Sequence, residues 1–223
     1  MIKSSNHVIV LNNIPFTIEE KKVLRELRFP PGVKTLGELR EGHIASSIKN
    51  TIDTAYSLIR GRACYRTFEI KGISGDIVTI SDSNSVFRGV NMVRLLKNCD
   101  YATLLVCTIG KDIVEKIEEA GKSSLADAYY LDRVSAWMAD YMAEQVGSII
   151  QTEIRKNGYE PTFRYAAGYG DWGLEAQSEI MRLTEAEKIG VTITESFIMV
   201  PRLSVSAVIG WERKSNIKSQ NAK

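Results

Sequence analysis

The sequence predicts one α+β domain in which long helices pack on a twisted antiparallel or mixed sheet. Three observations indicate this class. An amphipathic helical pattern runs over residues 124–156, apolar segments of strand length lie on both sides of it, and no Gly/Ser/Pro-rich linker divides the 223 residues. A chain of this length can bury a substantial core. We assign residues 1–212 to one domain and residues 213–223 to a polar, frayed tail.

Helices in the first half are predicted from caps and apolar spacing. Thr17 and Glu20 match a capping box, and the helix that they open ends before Pro30. Apolar residues recur every three or four positions between residues 41 and 59, which places them on one helical face. Further helices are predicted over residues 86–96 and 110–120.

Strands in the same half are predicted from short apolar or alternating runs. Residues 7–11 form one strand, and residues 63–80 form a hairpin that turns at residues 72–75. Residues 102–108 are continuously apolar except for their threonines, which is typical of a strand buried on both faces.

The last third of the chain alternates short strands with one helix. A strand over residues 163–166 leads into a glycine-rich loop, and Asp171 is placed to cap a helix that ends near Gly190. Three short strands complete the fold, over residues 191–194, 197–199 and 204–211.

Composition argues against several classes of protein. The net charge is +2, with 29 Lys and Arg against 27 Asp and Glu, so no basic field favours nucleic acid or a membrane surface. Cys64, Cys99 and Cys107 are irregularly spaced in apolar segments, which predicts buried, unreactive thiols and no metal site. With no signal peptide and no long apolar run, we expect a cytoplasmic protein.

A ligand-binding loop is indicated by Arg164, followed four residues later by Gly168 and Tyr169. A guanidinium can hold a carboxylate, and glycine lets backbone groups approach a flat ring, so this spacing suits a zwitterionic ligand. Two other interpretations stay open: a surface arginine paired with a glutamate, and glycines that serve a tight turn. Tyr169 is either a ligand contact or a packing residue.

Residues 132–211 resemble the reactivation domain of cobalamin-dependent methionine synthase. The resemblance rests on Asp132-Arg133 at the start of a helix, on the Arg164-x-x-x-Gly168-Tyr169 loop, and on the run from Ile193 to Ser206. Residues 104–110 and 168–172 are similar to free-standing versions of that domain. The resemblance implies a methionine synthase activation domain-like fold.

The resemblance also implies a function and a set of site residues. Such domains bind S-adenosylmethionine for reductive methylation of cob(II)alamin on a partner corrinoid protein, with an electron from a flavodoxin-type donor. Arg164 would hold the carboxylate, and the backbone of Tyr165, Ala166 and Gly168 would contact the ligand. Tyr169 would lie at the sulfonium as the catalytic residue. Apart from the resemblance, Glu195 is either a structural residue of a polar turn or a supporting carboxylate, since a negative charge near a cationic ligand would stabilise it.

Two departures from the family pattern leave alternatives open. The family's glutamate early in the long helix falls on Ala136, and its tyrosine after the last strand has no counterpart beyond Trp211. The first hypothesis is therefore a reactivation subunit, a methyltransferase component that acts only with a corrinoid partner. The second is a non-catalytic docking module that has lost S-adenosylmethionine binding. A corrinoid-independent methyltransferase is disfavoured because no glycine-rich loop follows a first strand.

Overall fold

The computed structural model describes residues 7–81 and 85–214. Within these residues a seven-stranded sheet is built around β5 (Cys99–Thr108), which lies between β2 (Arg62–Ser74) and β9 (Ser204–Arg213). Every ladder is antiparallel, and the other strands are β1 (Ile9–Leu11) and β3 (Ile77–Ile80) beside β2, β4 (Val86–Arg88) beside β3, and β6 (Tyr159–Pro161) beside β9. A separate ribbon pairs β7 (Thr192–Ile193) with β8 (Met199–Val200).

Helices cover both faces of this sheet. The longest is α5 (Leu125–Lys156), whose first turn is capped by Ser124 accepting a hydrogen bond from Asp127 N. The others are α1 (Glu20–Glu26), α2 (Gly42–Leu58), α3 (Val90–Leu96), α4 (Asp112–Gly121) and α6 (Ala176–Thr184), with short 3₁₀ turns at Leu36–Glu38 and Ala186–Ile189. The predicted α+β class is confirmed.

Two hydrophobic cores lie on opposite faces of the sheet. Along β5, Leu105 and Cys107 belong to the core under α5, whereas Leu104 and Val106 belong to the core under α6. This alternation follows from the two-residue period of a strand, and it explains why residues 102–108 read as almost continuously apolar. We call these the α5-side core and the α6-side core.

The helix predicted over residues 86–96 is wrong in its first third. Val86–Arg88 form β4, which pairs with β3, and α3 begins only at Val90 after Gly89. The preference for a strand comes from the partner β3 rather than from the local sequence, which is compatible with a helix.

The predicted role of Asp171 is also wrong, because it caps a helix distant in the chain. The helix that follows it, α6, begins only at Ala176. The Asp171 carboxylate instead accepts hydrogen bonds from Val90 N at 2.5 Å and Asn91 N at 3.2 Å, the first backbone donors of α3. These donors have no partner within their own helix, so the carboxylate satisfies them from outside.

Three local predictions need smaller corrections. Thr17 caps no helix, since α1 has Glu19 at its N-cap, and the Glu20 carboxylate accepts from Leu36 N instead. β2 continues through Gly72 to Ser74, so its hairpin turns later than expected. Of the strand predicted over residues 163–166, one bridge between Tyr165 and Val208 is formed, while the neighbouring β6 was not foreseen.

The last strand extends beyond the predicted domain boundary at residue 212. Arg213, which the sequence predicts to lie in the polar tail, is instead the last residue of β9 and pairs with Asp100 at 2.5 Å. Residues 215–223 lie outside the described residues, so the rest of that tail stays a prediction. Among the helices described, none is long and apolar enough to cross a membrane.

Replacement of Gly210 by alanine should destabilise the fold by about 1–3 kcal/mol, because overfilling a packed core strains it. The added Cβ would lie 2.7 Å from Cys99 Sγ, 2.7 Å from Leu96 Cδ2 and 3.0 Å from a methyl of Thr162. The matched control is Gly72→Ala in β2, where nothing lies within 4 Å. Urea unfolding measures both free energies of unfolding, and equal values for the two variants would contradict the packing argument.

Replacement of Asp171 by alanine should cost about 0.5–2 kcal/mol of unfolding free energy, the usual effect of losing a helix cap. Asp171→Asn keeps a side-chain oxygen that accepts from Val90 N and Asn91 N, so it should retain most of the stability. Chemical denaturation of the three proteins tests this. An alanine variant as stable as the asparagine variant would show that the cap contributes nothing.

Candidate functional site

A cleft of about 360 Å³ lies where the first residues of β9 meet the loop after residue 163. It is lined by residues from α5, α6, β8, β9 and that loop: Asp140, Arg164, Tyr165, Ala166, Ala167, Tyr169, Gln177, Met199, Ser204, Val205 and Ser206. Its volume is in the range of small-molecule sites.

The cleft opens at the free edge of β9. Tyr165 and Val208 exchange both backbone hydrogen bonds, at 3.0 and 2.8 Å, and the chain then turns away from the sheet. Backbone groups of a strand alternate between its two edges, so the peptide groups of Ser206 face the same edge as those of Val208. The wall of the cleft therefore includes sheet backbone as well as side chains.

The loop is held in shape by its own contacts. Gly168 N donates to Trp172 O at 2.8 Å, and the Tyr165 hydroxyl donates to Tyr169 O at 2.7 Å. The Trp172 side chain is buried in the α6-side core and stacks on the Tyr165 ring, with centroids 5.7 Å apart. Together with the Asp171 cap on α3, these contacts fix the loop before any ligand binds.

The glycines of the loop serve its turn. Gly168 has φ 89° and Gly170 has φ 58°, a region that favours glycine, and a Cβ on Gly170 would lie 2.8 Å from the Tyr165 hydroxyl. Gly168 is not among the residues that line the cleft. The geometry thus supports the turn interpretation of these glycines.

Two opposite charges line the cleft without pairing with each other. Arg164 is half-buried and Asp140 is exposed, and neither side chain makes a hydrogen bond or ion pair with any described residue. Both act on the buried Cys107 thiol of β5. Burial raises the pKa of Cys107 to about 12, while Arg164 opposes this shift and Asp140 adds to it. Asp140 belongs to α5, and Ala166, two residues after Arg164, packs against the α5-side core, so both charges lie on the α5 side of the sheet.

Gln177 contributes an unsatisfied polar group to the cleft from α6. Its side chain is only 5% exposed, and its amide oxygen is buried without a hydrogen-bond partner in the part of the chain that the structure describes. Buried acceptors are normally paired, so this amide is a candidate for contact with a ligand. Gln177 lies on α6, whose apolar residues belong to the α6-side core.

Apolar side chains are exposed beside the cleft. Tyr169 is 69% exposed, and Phe163 and Leu174 are exposed on the same loop. Phe197, Ile198 and Val200 are exposed on the ribbon of β7 and β8, next in the chain to the lining residue Met199. We call these six residues the apolar rim.

The structure brings together most of the site predicted from the sequence. Arg164, Tyr165, Ala166 and Tyr169 all line one cleft, whereas Glu195 lies exposed in the turn between β7 and β8 and does not. The main residues that sequence reasoning missed are Asp140, Gln177 and Ser206. Asp140 and Gln177 look like ordinary polar positions of amphipathic helices, so no local signal distinguished them.

The three cysteines are buried away from solvent. Cys64, Cys99 and Cys107 are all buried free thiols, and burial raises the pKa of Cys64 to about 11 and of Cys99 to about 12. The thiols therefore stay protonated at neutral pH, as predicted. Across residues 7–81 and 85–214, no three His, Cys, Asp or Glu side chains form a group that could hold a metal ion.

Comparisons with known proteins agree with this fold. The family model described as "Vitamin B12 dependent methionine synthase, activation domain" matches residues 90–218, more than half of the chain. A solved structure described as the crystal structure of the MetH reactivation domain bound to AdoHcy has a TM-score of 0.66, at 16% sequence identity, over 93% of this chain and 79% of that chain. The comparison with curated proteins gave no match. The chain belongs to the family of activation domains of vitamin B12-dependent methionine synthase.

Proposed function

We propose that this chain is the reactivation subunit of a cobalamin-dependent methyltransferase, namely methionine synthase, and that it binds S-adenosylmethionine in the cleft. The observation that carries the proposal is the Arg164 guanidinium, which has no ion-pair partner among the described residues and lies beside Tyr169 in a preformed cleft. The related structure described above binds AdoHcy, the demethylated form of the same ligand.

Arg164 supplies the anion-binding part of the site. Its guanidinium is half-buried and has no carboxylate partner among the described residues, so a ligand carboxylate would meet an unneutralised cation. Because the group is planar with parallel donors, it can hold a carboxylate through two hydrogen bonds.

Tyr169 supplies an aromatic surface at the mouth of the cleft. Its backbone is fixed by the Tyr165 hydroxyl, while its ring is exposed. An aromatic ring attracts a sulfonium cation through its negative face. The role of Tyr169 is therefore to orient the methyl group of the ligand outward. Orientation of this kind lowers the barrier to methyl transfer without any proton transfer by the protein.

The acceptor is proposed to be carried by a separate corrinoid protein. When bound to that partner, cobalamin would supply the methyl-accepting cobalt, and a flavodoxin-type donor would supply the electron that the reductive step requires. The apolar rim beside the cleft is a suitable docking surface, because exposed apolar clusters mark interaction sites. Docking there would exclude water from the mouth of the cleft.

The second candidate is a docking module that caps a corrinoid protein and binds no S-adenosylmethionine. Two observations favour it: position 136 on α5 carries alanine where the resemblance expects a carboxylate, and Glu195 does not reach the cleft. The apolar rim serves both candidates equally. The unpaired Arg164 favours the first, since a pure docking module has no need of an unneutralised cation there.

Titration of S-adenosylmethionine into the purified chain separates the two candidates. We expect saturable binding that weakens at least tenfold in Arg164→Ala, because a charge-assisted hydrogen bond contributes about 1.5–3 kcal/mol. Arg155→Ala is the matched control, since Arg155 is exposed on α5 and faces Glu160 rather than the cleft.

Absence of S-adenosylmethionine binding would contradict the proposed reactivation role. If the wild-type chain binds no S-adenosylmethionine, alone or with a cobalamin-loaded methionine synthase fragment, the reactivation role fails. Binding to that fragment without the small ligand would then establish the docking module.

A further inference from the structure

The cleft has two chemically different halves, one on each face of the sheet. Arg164, Asp140 and Val205 lie on the α5 side, where both charges act on Cys107 of the α5-side core. Ala167 and Met199 belong to or pack against the α6-side core, and Gln177 reaches the cleft from α6. One half carries both charges, and the other is uncharged, with apolar side chains beside the Gln177 amide and the hydroxyls of Ser204 and Ser206.

The charged half suits an amine as well as a carboxylate. Asp140 is the residue of α5 that lines the cleft, and its carboxylate has no partner among residues 7–81 and 85–214. When a cation and an anion line one cleft without forming an ion pair, each can bind the opposite charge of a zwitterion. Ala136, one helical turn earlier on the same face, offers only a methyl group.

The uncharged half suits a flat, uncharged group that carries a hydrogen-bond donor. Gln177 is at least nine-tenths buried, and its amide oxygen has no partner in the described part of the chain. The neighbouring surface of Ala167 and Met199 is nonpolar, and methionine adapts its shape to a ring. A donor on that ring would complete the amide's hydrogen bonding.

We propose that Asp140 binds the ammonium group of the ligand and that Gln177 hydrogen-bonds its nucleoside part. The amino-acid end then lies toward α5 and the nucleoside toward α6. This inference rests on the proposed function. Asp140 and Gln177 thereby become specificity-determining residues, one for each end of S-adenosylmethionine.

Two probes separate the halves by calorimetric titration. S-adenosylmethionine carries both ends, whereas 5′-methylthioadenosine lacks the amino-acid end. We expect Asp140→Asn to weaken S-adenosylmethionine about tenfold, since it removes a charge-assisted contact, and to leave 5′-methylthioadenosine unchanged. We expect Gln177→Met, which keeps the side-chain length, to weaken both probes by a similar factor.

The matched control is Glu144→Gln, which removes an exposed carboxylate one turn further along α5 and outside the cleft. It should change neither affinity. Circular dichroism and thermal melts of each variant establish that it is folded before titration.

The outcomes distinguish this inference from the proposed function. If the wild-type chain binds S-adenosylmethionine but Asp140→Asn matches Glu144→Gln, the ammonium assignment is overturned while the reactivation role stands. If Gln177→Met weakens neither probe, the nucleoside assignment is overturned. If the wild-type chain binds neither probe, with or without its corrinoid partner, the inference and the proposed function both fail.

Discussion

The placement of β5 at the centre of the sheet is the constraint on which the rest of the structure depends. It is hydrogen-bonded to β2 on one edge and β9 on the other, and helices cover both of its faces. A strand in this position has to be apolar on both faces. Because β9 covers one edge of β5, the outer edge of β9 becomes the next edge of the sheet. The cleft forms where the partner of β9 leaves the sheet after Tyr165.

Much of the fold was predictable because its signals are local. The apolar run of β5 and the capped amphipathic pattern of α5 read correctly, since each depends on periodicity that the strand or helix itself imposes. The two larger errors concern β4 and Asp171, whose states are decided by partners elsewhere in the chain. A strand of three residues has too little pattern to reveal its partner. A cap such as Asp171, 80 residues away from the donor Asn91 N, leaves no signal in the sequence of the helix that it caps.

The candidate site likewise combines residues that could be predicted from the sequence with residues that could not. The loop from Arg164 to Tyr169 was identifiable because it combines an arginine, a glycine and an aromatic residue at fixed spacing. Asp140 and Gln177 were not, because each is one polar residue among many on a helix. Their significance depends on what faces them across the cleft. Gly168 and Glu195 illustrate the converse, since a residue that belongs to a recognisable motif need not line the site.

The junction of the two cores at the cleft has a consequence for the cooperativity of the molecule. Its walls come from helices that pack on opposite faces of the sheet, α5 with one core and α6 with the other. A molecule bound there touches both layers at once, so neither layer can open without releasing it. Occupancy thus links the local unfolding of the two layers through mass action, and the bound protein behaves more nearly as one cooperative unit than the free protein does.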